Sequence, residues 1–155
     1  MKLSDYALSR SSFSSDDLLS SWHWLVGNDA EVIVVTRAGD CFLKKSDGIY
    51  FLCLAENRFE KACDTIDNLN GLLSDRDFVS SHFAPQSVDD FLAAGHSLDP
   101  TSVIGFKIPP FLGGSFDIEN LESTDASVHF SILGQLAFKI KDLPDGTPIG
   151  DVTIS

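Results

Sequence analysis

Hydrophobic positions change their spacing several times along the chain, and each change predicts an element. Leu18, Leu19, Trp22 and Leu25 recur at the three-and-four spacing of a helix face. Ser14 is placed to cap that helix, Asp17 to meet its positive end, and Gly27-Asn28 to stop it. Glu31 to Thr36 is a β-branched run of the kind found in central strands. Arg37-Ala38-Gly39-Asp40 reads as a turn, Cys41 to Lys45 as a second strand, and Ser46-Asp47-Gly48 as a turn with an Asp-Gly hairpin signal. Ile49 to Leu54 is a third strand, so the pattern predicts an antiparallel meander.

The spacing then returns to three and four. Phe59, Cys63, Ile66, Leu69 and Leu73 share one helical face, with Asp64 and Asp67 on the other. Ser74 and Ser87 each precede an Asp by three residues, as Ser14 does, and predict helix starts that run through His82 and Ala94. Pro85 and Gly95 punctuate between them. The last third alternates with period two. Ala126, Val128, Phe130 and Ile132 form one arm and Leu136, Phe138 and Ile140 the other, joined at Gly134-Gln135, which predicts a hairpin. Residues 143–148 read as a turn and Ile149 to Ile154 as a short final strand. The sum is an α+β fold with a largely antiparallel sheet (N-terminal meander plus C-terminal hairpin) and helices packed against it. Residues 1–30 are expected to form an arm and helix, the first 13 either a loose arm or a short docked segment, and residues 31–155 a single domain.

Charge narrows the function. The 155 residues carry a net charge of −12, and residues 64–155 hold 14 acidic against 4 basic side chains. Such a surface repels phosphate backbones and anionic membranes, so a nucleic-acid or membrane partner is not expected, which leaves a protein with no partner or one with a basic partner. An apolar share of 43% with 12 Phe supports a folded core. No apolar run reaches membrane-span length, and the first residues lack the apolar stretch of a secretory signal. Cys41, Cys53 and Cys63 are an odd count, which predicts reduced, buried thiols in a cytoplasm.

Catalytic signatures are missing. No G-x-S-x-G, H-E-x-x-H, Walker loop or Cys-x-x-Cys occurs. His23, His82, His96 and His129 lack ligand-type neighbours at metal spacing, so no metal and no cofactor is expected. His129 falls on the polar side of its strand, where it would be solvated or locally hydrogen-bonded. The Asp16-Asp17 and Asp89-Asp90 pairs fall in first helical turns and answer the helix dipole. Trp22 faces the core, while Trp24 points elsewhere, over a sheet edge or out as an interface anchor. Reviving a hydrolase reading would need His129 or His96 joined to a Ser and a carboxylate.

The stretch Gly105-Phe106-Lys107-Ile108-Pro109-Pro110-Phe111-Leu112-Gly113-Gly114 is extended at Ile108 and Pro109 by its prolines and then freed by two glycines. It predicts a structural turn that returns the chain to the sheet. Together with Asn120-Leu121-Glu122, Asp125, Val128-His129, Gly134-Gln135 and Leu143-Pro144, Gly146-Thr147 and Ile149, it resembles the C-terminal domain family of type VI secretion immunity proteins that neutralise DNase effectors. That family is distantly similar to the cell-wall-regulator-like immunity superfamily. The resemblance runs from about Glu31 to Ile154. The family domain often follows a GAD-like domain, and with about 30 residues before the meander none is expected in this sequence. After Gly134-Gln135 the chain reads Leu-Ala-Phe-Lys-Ile, where the family is more polar.

The resemblance implies a non-catalytic protein that binds and neutralises a toxin domain, plausibly a nuclease. The alternative is a scaffold or regulatory module with a non-toxin partner. Gly105, Pro109, Leu112, Gly113, Gly114, Asn120, Gly134, Gln135, Pro144 and Gly146 are the motif positions and are expected to be structural. Asp64, Asp67, Asp75, Asp77, Asp89 and Asp90, on the acidic helices, are the expected partner-binding residues.

Overall fold

In the computed structural model, which describes residues 2–143, the N-terminal third follows the expected meander. Helices α1 (Ser15–Leu19) and α2 (His23–Val26) lead into strands β1 (Glu31–Val35), β2 (Cys41–Lys45) and β3 (Gly48–Cys53). Tight turns set the register, with Phe42 opposite Phe51 and Leu43 opposite Tyr50. A fourth strand, β4 (Arg58–Cys63), completes the antiparallel sheet in chain order. Helices α3 (Ile66–Leu72), α4 (Arg76–Phe83) and α5 (Pro85–Ala93) follow. Strands β5 (Ser102–Phe106) and β6 (Leu121–Asp125) pair as a second, two-stranded sheet, and α6 (Ala126–Ile140) closes the described chain.

The α+β class holds, but several elements differ from expectation. Phe59 and Cys63 do not lie on a helix face. They lie on β4, an edge strand whose Arg58, Glu60 and Lys61 keep it from pairing further. The helix begins only at Ile66, where Thr65 accepts the Asn68 N–H at 3.1 Å as its cap. Residues 126–140 are one helix and not a hairpin. Ala126, His129, Phe130, Leu133, Gly134, Leu136 and Ala137 are its buried positions, a helical stripe that shares Ala126, Phe130 and Leu136 with the period-two pattern. The hairpin of this half is β5–β6 instead. The expected helix over residues 14–25 breaks into α1 and α2, and Ser14 makes no cap bond. Its neighbour Ser15 accepts the Val32 N–H at 2.8 Å and ties α1 to the sheet.

The helix starts after residue 73 also shift. Asp75, not Ser74, caps α4, accepting the N–H groups of Asp77 and Phe78 at 2.9 and 3.3 Å. Pro85 opens α5, where its missing N–H costs nothing, and Ser87 lies inside the helix. Asp89 and Asp90 therefore fall outside the first turn. The turn of residues 143–148 and the strand of 149–154 lie outside the described residues, apart from Leu143 itself.

Side chains alternate across a strand, so the unbroken apolar runs of β2 and β3 must be covered on both sheet faces. Cys41, Leu43, Leu52 and Leu54 join Leu18, Leu19, Trp22, Val26, Phe130, Leu133 and Ala137 in one core, on the side of α1, α2 and α6. Phe42, Phe51, Cys53 and Ala55 join Leu69, Val79, Phe83, Val88 and Phe91 in a second, on the side of α3–α5. The β5–β6 hairpin meets the end of the main sheet, where Ile104 N–H donates to Arg37 O at 2.8 Å. Its Val103 enters the first core, and its Ile104 and Leu121 enter the second. The N-terminal segment docks on the edge of β1 through an Ala7–Thr36 bridge and the Leu8 N–H to Val35 O bond at 2.9 Å.

Candidate functional site

The six acidic residues expected to face a partner fall into two groups. Four have internal work. Asp64 pairs with Lys61 at 2.7 Å, and that bond holds its carboxyl below the usual range. Asp75 caps α4. Asp89 accepts the Tyr6 hydroxyl at 2.9 Å, and Asp90 accepts from Gln86 Nε2 at 2.9 Å. Asp67 on α3 and Asp77 on α4 are exposed, with no side-chain partner among the described residues. The structure thus places Asp64 in the β4–α3 connection and the other five on three successive helices or at the start of one.

The described motif positions form turns or close contacts, with open space around Gly113. Pro109 is extended at φ −58°, ψ 140°, and Pro110, Phe111 and Leu112 form a single 3-10 turn that ends at Gly113 with φ +95°. Gly114 N–H then donates to Pro109 O at 3.1 Å. Asn120 closes the segment. Its Oδ1 accepts the Ile108 N–H at 2.9 Å, and its Nδ2 donates to Ile108 O and Ser115 O at 2.8 and 2.7 Å. One amide side chain therefore binds both ends of the connection between β5 and β6, just as the backbone returns to the sheet. Gly134 lies where α6 crosses the α1–α2 turn, and a Cβ there would stand 2.6 Å from Ser21 O. Gln135 donates to Ser131 Oγ at 3.0 Å. Gly105 faces Thr124 and His129. Pro144 and Gly146 lie outside the described residues.

His129 is not solvated. It is 4% exposed, and its Nε2 is 2.9 Å from Gly39 O, so that nitrogen carries the proton and donates. Burial pushes its pKa down to about 4, against the weaker pull of the Gly39 carbonyl. His96 stacks on Phe91 with ring centroids 4.4 Å apart, and His82 stacks on Phe78 at 4.0 Å. His23 bonds Gly27 O at 2.9 Å. Among the described residues neither His129 nor His96 has a Ser or carboxylate partner, so no triad is assembled around them there. Trp24 does not point away from the core. It is half-buried, stacks on Trp22 at 5.9 Å, meets the edge of Phe138 at 5.8 Å, and donates to Ser21 O.

The three thiols are free. Burial raises the pKa of all three, that of Cys53 to about 12, which keeps them protonated and unreactive. Among the described residues no group of three or more His, Cys, Asp or Glu is arranged to hold a metal. No helix there is long and apolar enough to cross a membrane.

One feature was not anticipated by the hydrophobic pattern. A cleft of about 190 Å³ opens between the second core's sheet face, the α4–α5 junction and the β5–β6 hairpin. Asp40 lines its floor, accepting the Leu54 N–H at 2.9 Å. Burial pushes its carboxyl up to about 7. Glu56 and Arg58 line the mouth, and Phe106 and Phe116 form an aromatic wall in edge contact at 5.7 Å. Phe116 is 62% exposed. The only trace of this site in the sequence is a carboxylate placed directly before the apolar start of a strand, Cys41-Phe42-Leu43.

Residues 64–137 match the family model described as T6SS immunity protein Tdi1, C-terminal. The match covers α3 through most of α6 and agrees with the resemblance carried by the Gly105–Gly114 and Gly134-Gln135 motifs. It is narrower than the span from Glu31 to Ile154. No curated protein matches the chain.

Proposed function

We propose that this chain is a non-catalytic immunity protein that binds a toxin domain and neutralises it by occupying its working surface, with residues 31–155 as the immunity-type domain and residues 1–30 as its arm and helix. The match of residues 64–137 to a type VI secretion immunity family carries the reading. The charge distribution supports it further. A nuclease needs a basic cleft for its phosphate substrate, and a protein with a net charge of −12 complements such a cleft. Of the six acidic residues expected to face it, Asp67 and Asp77 have no side-chain partner among the described residues and are held in place only by their position in the first turns of α3 and α4. Complementary charge raises association about ten- to a thousandfold at low salt. The partner is therefore a basic protein of the cytoplasm and not a nucleic acid or membrane.

The test pairs the chain with the protein encoded by the adjacent gene. Co-expression is expected to relieve toxicity, the two proteins to co-purify, and binding to weaken as salt rises. A harmless neighbour, or one that never binds, points to a scaffold with another partner and ends the immunity reading. Tight binding insensitive to salt ends the electrostatic part alone.

A further inference from the structure

The cleft beside Asp40 has the chemistry of a receptor for one side chain. Its volume of about 190 Å³ is below the roughly 300–1,000 Å³ of pockets that hold a cofactor or drug-sized ligand. Its walls are unlike a plain apolar gap. Asp40 and Glu56 present carboxylates from the sheet side, and Phe106 and Phe116 present ring surface from the hairpin. Arg58 is the one cation among the lining residues, and it is already held by Glu56 at 2.7 Å and Glu60 at 3.4 Å. The α4–α5 side contributes Ser81, Ala84 and Ser87, none of which ionises near neutral pH. A carboxylate accepts up to about four hydrogen bonds, and Leu54 N–H and the Cys53 thiol leave Asp40 with capacity to spare. Carboxylates and an exposed aromatic ring lining one cleft favour a planar cation over any neutral or acidic group, because the ring face and the acid attract the same charge.

We propose that this cleft receives a single arginine side chain projecting from the protein partner, with Phe116 as the stacking contact, Asp40 as the counter-ion and Glu56 offering the oxygen that Arg58 does not hold. The inference rests on the immunity reading and locates its anchor point away from the α3–α5 carboxylates. The burial that now holds the Asp40 carboxyl up to about 7 is compensated once a guanidinium enters. Such an anchor in a pocket has the character of a binding hot spot, where few residues carry most of the affinity.

Two measurements test it. In the first, N-acetyl-arginine methylamide is titrated into the labelled protein, with N-acetyl-norleucine methylamide as the uncharged control. Saturable amide shifts at Ala38, Arg58 and Ser87 are expected for arginine only, with at least a fivefold weaker fit in Phe116→Ala and Glu56→Gln. In the second, the product of the adjacent gene is bound to the wild type and to both variants by calorimetry. At least tenfold weaker binding is expected in each variant, with an unchanged urea midpoint, since both residues are exposed. Equal shifts for norleucine, no saturation, or variants that bind the partner as the wild type does overturn the cleft proposal and leave the immunity reading intact. A wild type that binds the arginine probe but not the neighbour's product overturns the immunity reading, and with it the assignment of the arginine to that partner.

Discussion

The two faces of the main sheet are covered by different means. On one, α6 runs for 15 residues, about 22 Å at 1.5 Å per residue, across a mostly aliphatic core in which Trp22 is fully buried. On the other, α4 and α5 have 8 and 9 residues and cover a core built of rings. Phe42 there meets Phe51, Phe83 and Phe78 with centroids 4.9, 5.8 and 5.9 Å apart. One long helix covers its face, with clefts along its flanks against α1, the α1–α2 turn and the β5–β6 hairpin. Two short helices joined at a left-handed Ala84 (φ +45°) leave a cleft at their own junction, where it meets the hairpin. The face under the long helix should therefore supply more of the stability, and the face under the short helices should give up surface to a partner with less loss of core.

The sharpest way to break this division is at Trp22. Its ring is 0% exposed and its Nε1 donates to Phe130 O at 2.8 Å, so Trp22→Ala both empties a large site and removes a buried hydrogen bond to α6. A loss of about 4 kcal/mol is expected from urea unfolding, against a change within about 0.5 kcal/mol for the exposed rim residue Phe116→Ala. Next in size is Gly134→Val. A Cβ there meets Ser21 O at 2.6 Å and Trp22 Nε1 at 2.9 Å, and a backbone oxygen cannot swing aside. About 3 kcal/mol is expected by the same measurement. A variant that unfolds like the wild type would mean that α6 does not pack closely on this face.

These two residues also mark what was readable before the fold was known. The meander was legible because each signal was local: a β-branched run, two turns with glycine, and apolar strands too continuous to be one-sided. Strand β4 and helix α6 were not, because short patterns fit two periods at once. Phe59 and Cys63 are four apart, as on a helix face, yet in β4 Phe59 stacks on Tyr50 across the sheet at 4.9 Å. In α6, Gly134 looks like a hairpin turn, but it is small because another backbone passes close, a tertiary fact with no local trace. The same holds for the site. The motif around Gly113 and Asn120 was visible as a turn, whereas Asp40 acquires its environment from strands and a hairpin up to 81 positions away in the chain, at Leu121.

The two faces should also answer pH in opposite senses. His129 titrates near 4 in the fold against 6.5 when free, so between those values the unfolded chain binds more protons and stability rises with pH. Asp40 titrates near 7 against 3.8, so over that window the folded chain binds more protons and stability falls as pH rises. The wild type should therefore show a nearly flat urea midpoint between about pH 4 and 6.5. Asp40→Asn keeps an oxygen to accept the Leu54 N–H and removes the buried charge. It is expected to stabilise the protein by about 2 kcal/mol at pH 8, and to expose a loss on acidification below about 6.5 that belongs to His129. A flat profile in Asp40→Asn would show that His129 does not stay neutral in the fold.

The smallest effect tests how the face under the short helices is held. A short helix gains little from its own length, so α4 relies on its cap and on a few rings. Asp75 supplies that cap through two N–H groups, and Ser74 makes no bond to the helix. Asp75→Ala should cost about 1 kcal/mol and Ser74→Ala less than about half of that. Because α4 forms one wall of the cleft through Ser81, the loss in Asp75→Ala should also loosen that wall, seen as faster amide exchange in residues 76–83 while α6 exchanges as before. Equal costs for the two substitutions would place the helix start at Ser74, and a loss spread evenly over both faces would mean that they do not open independently.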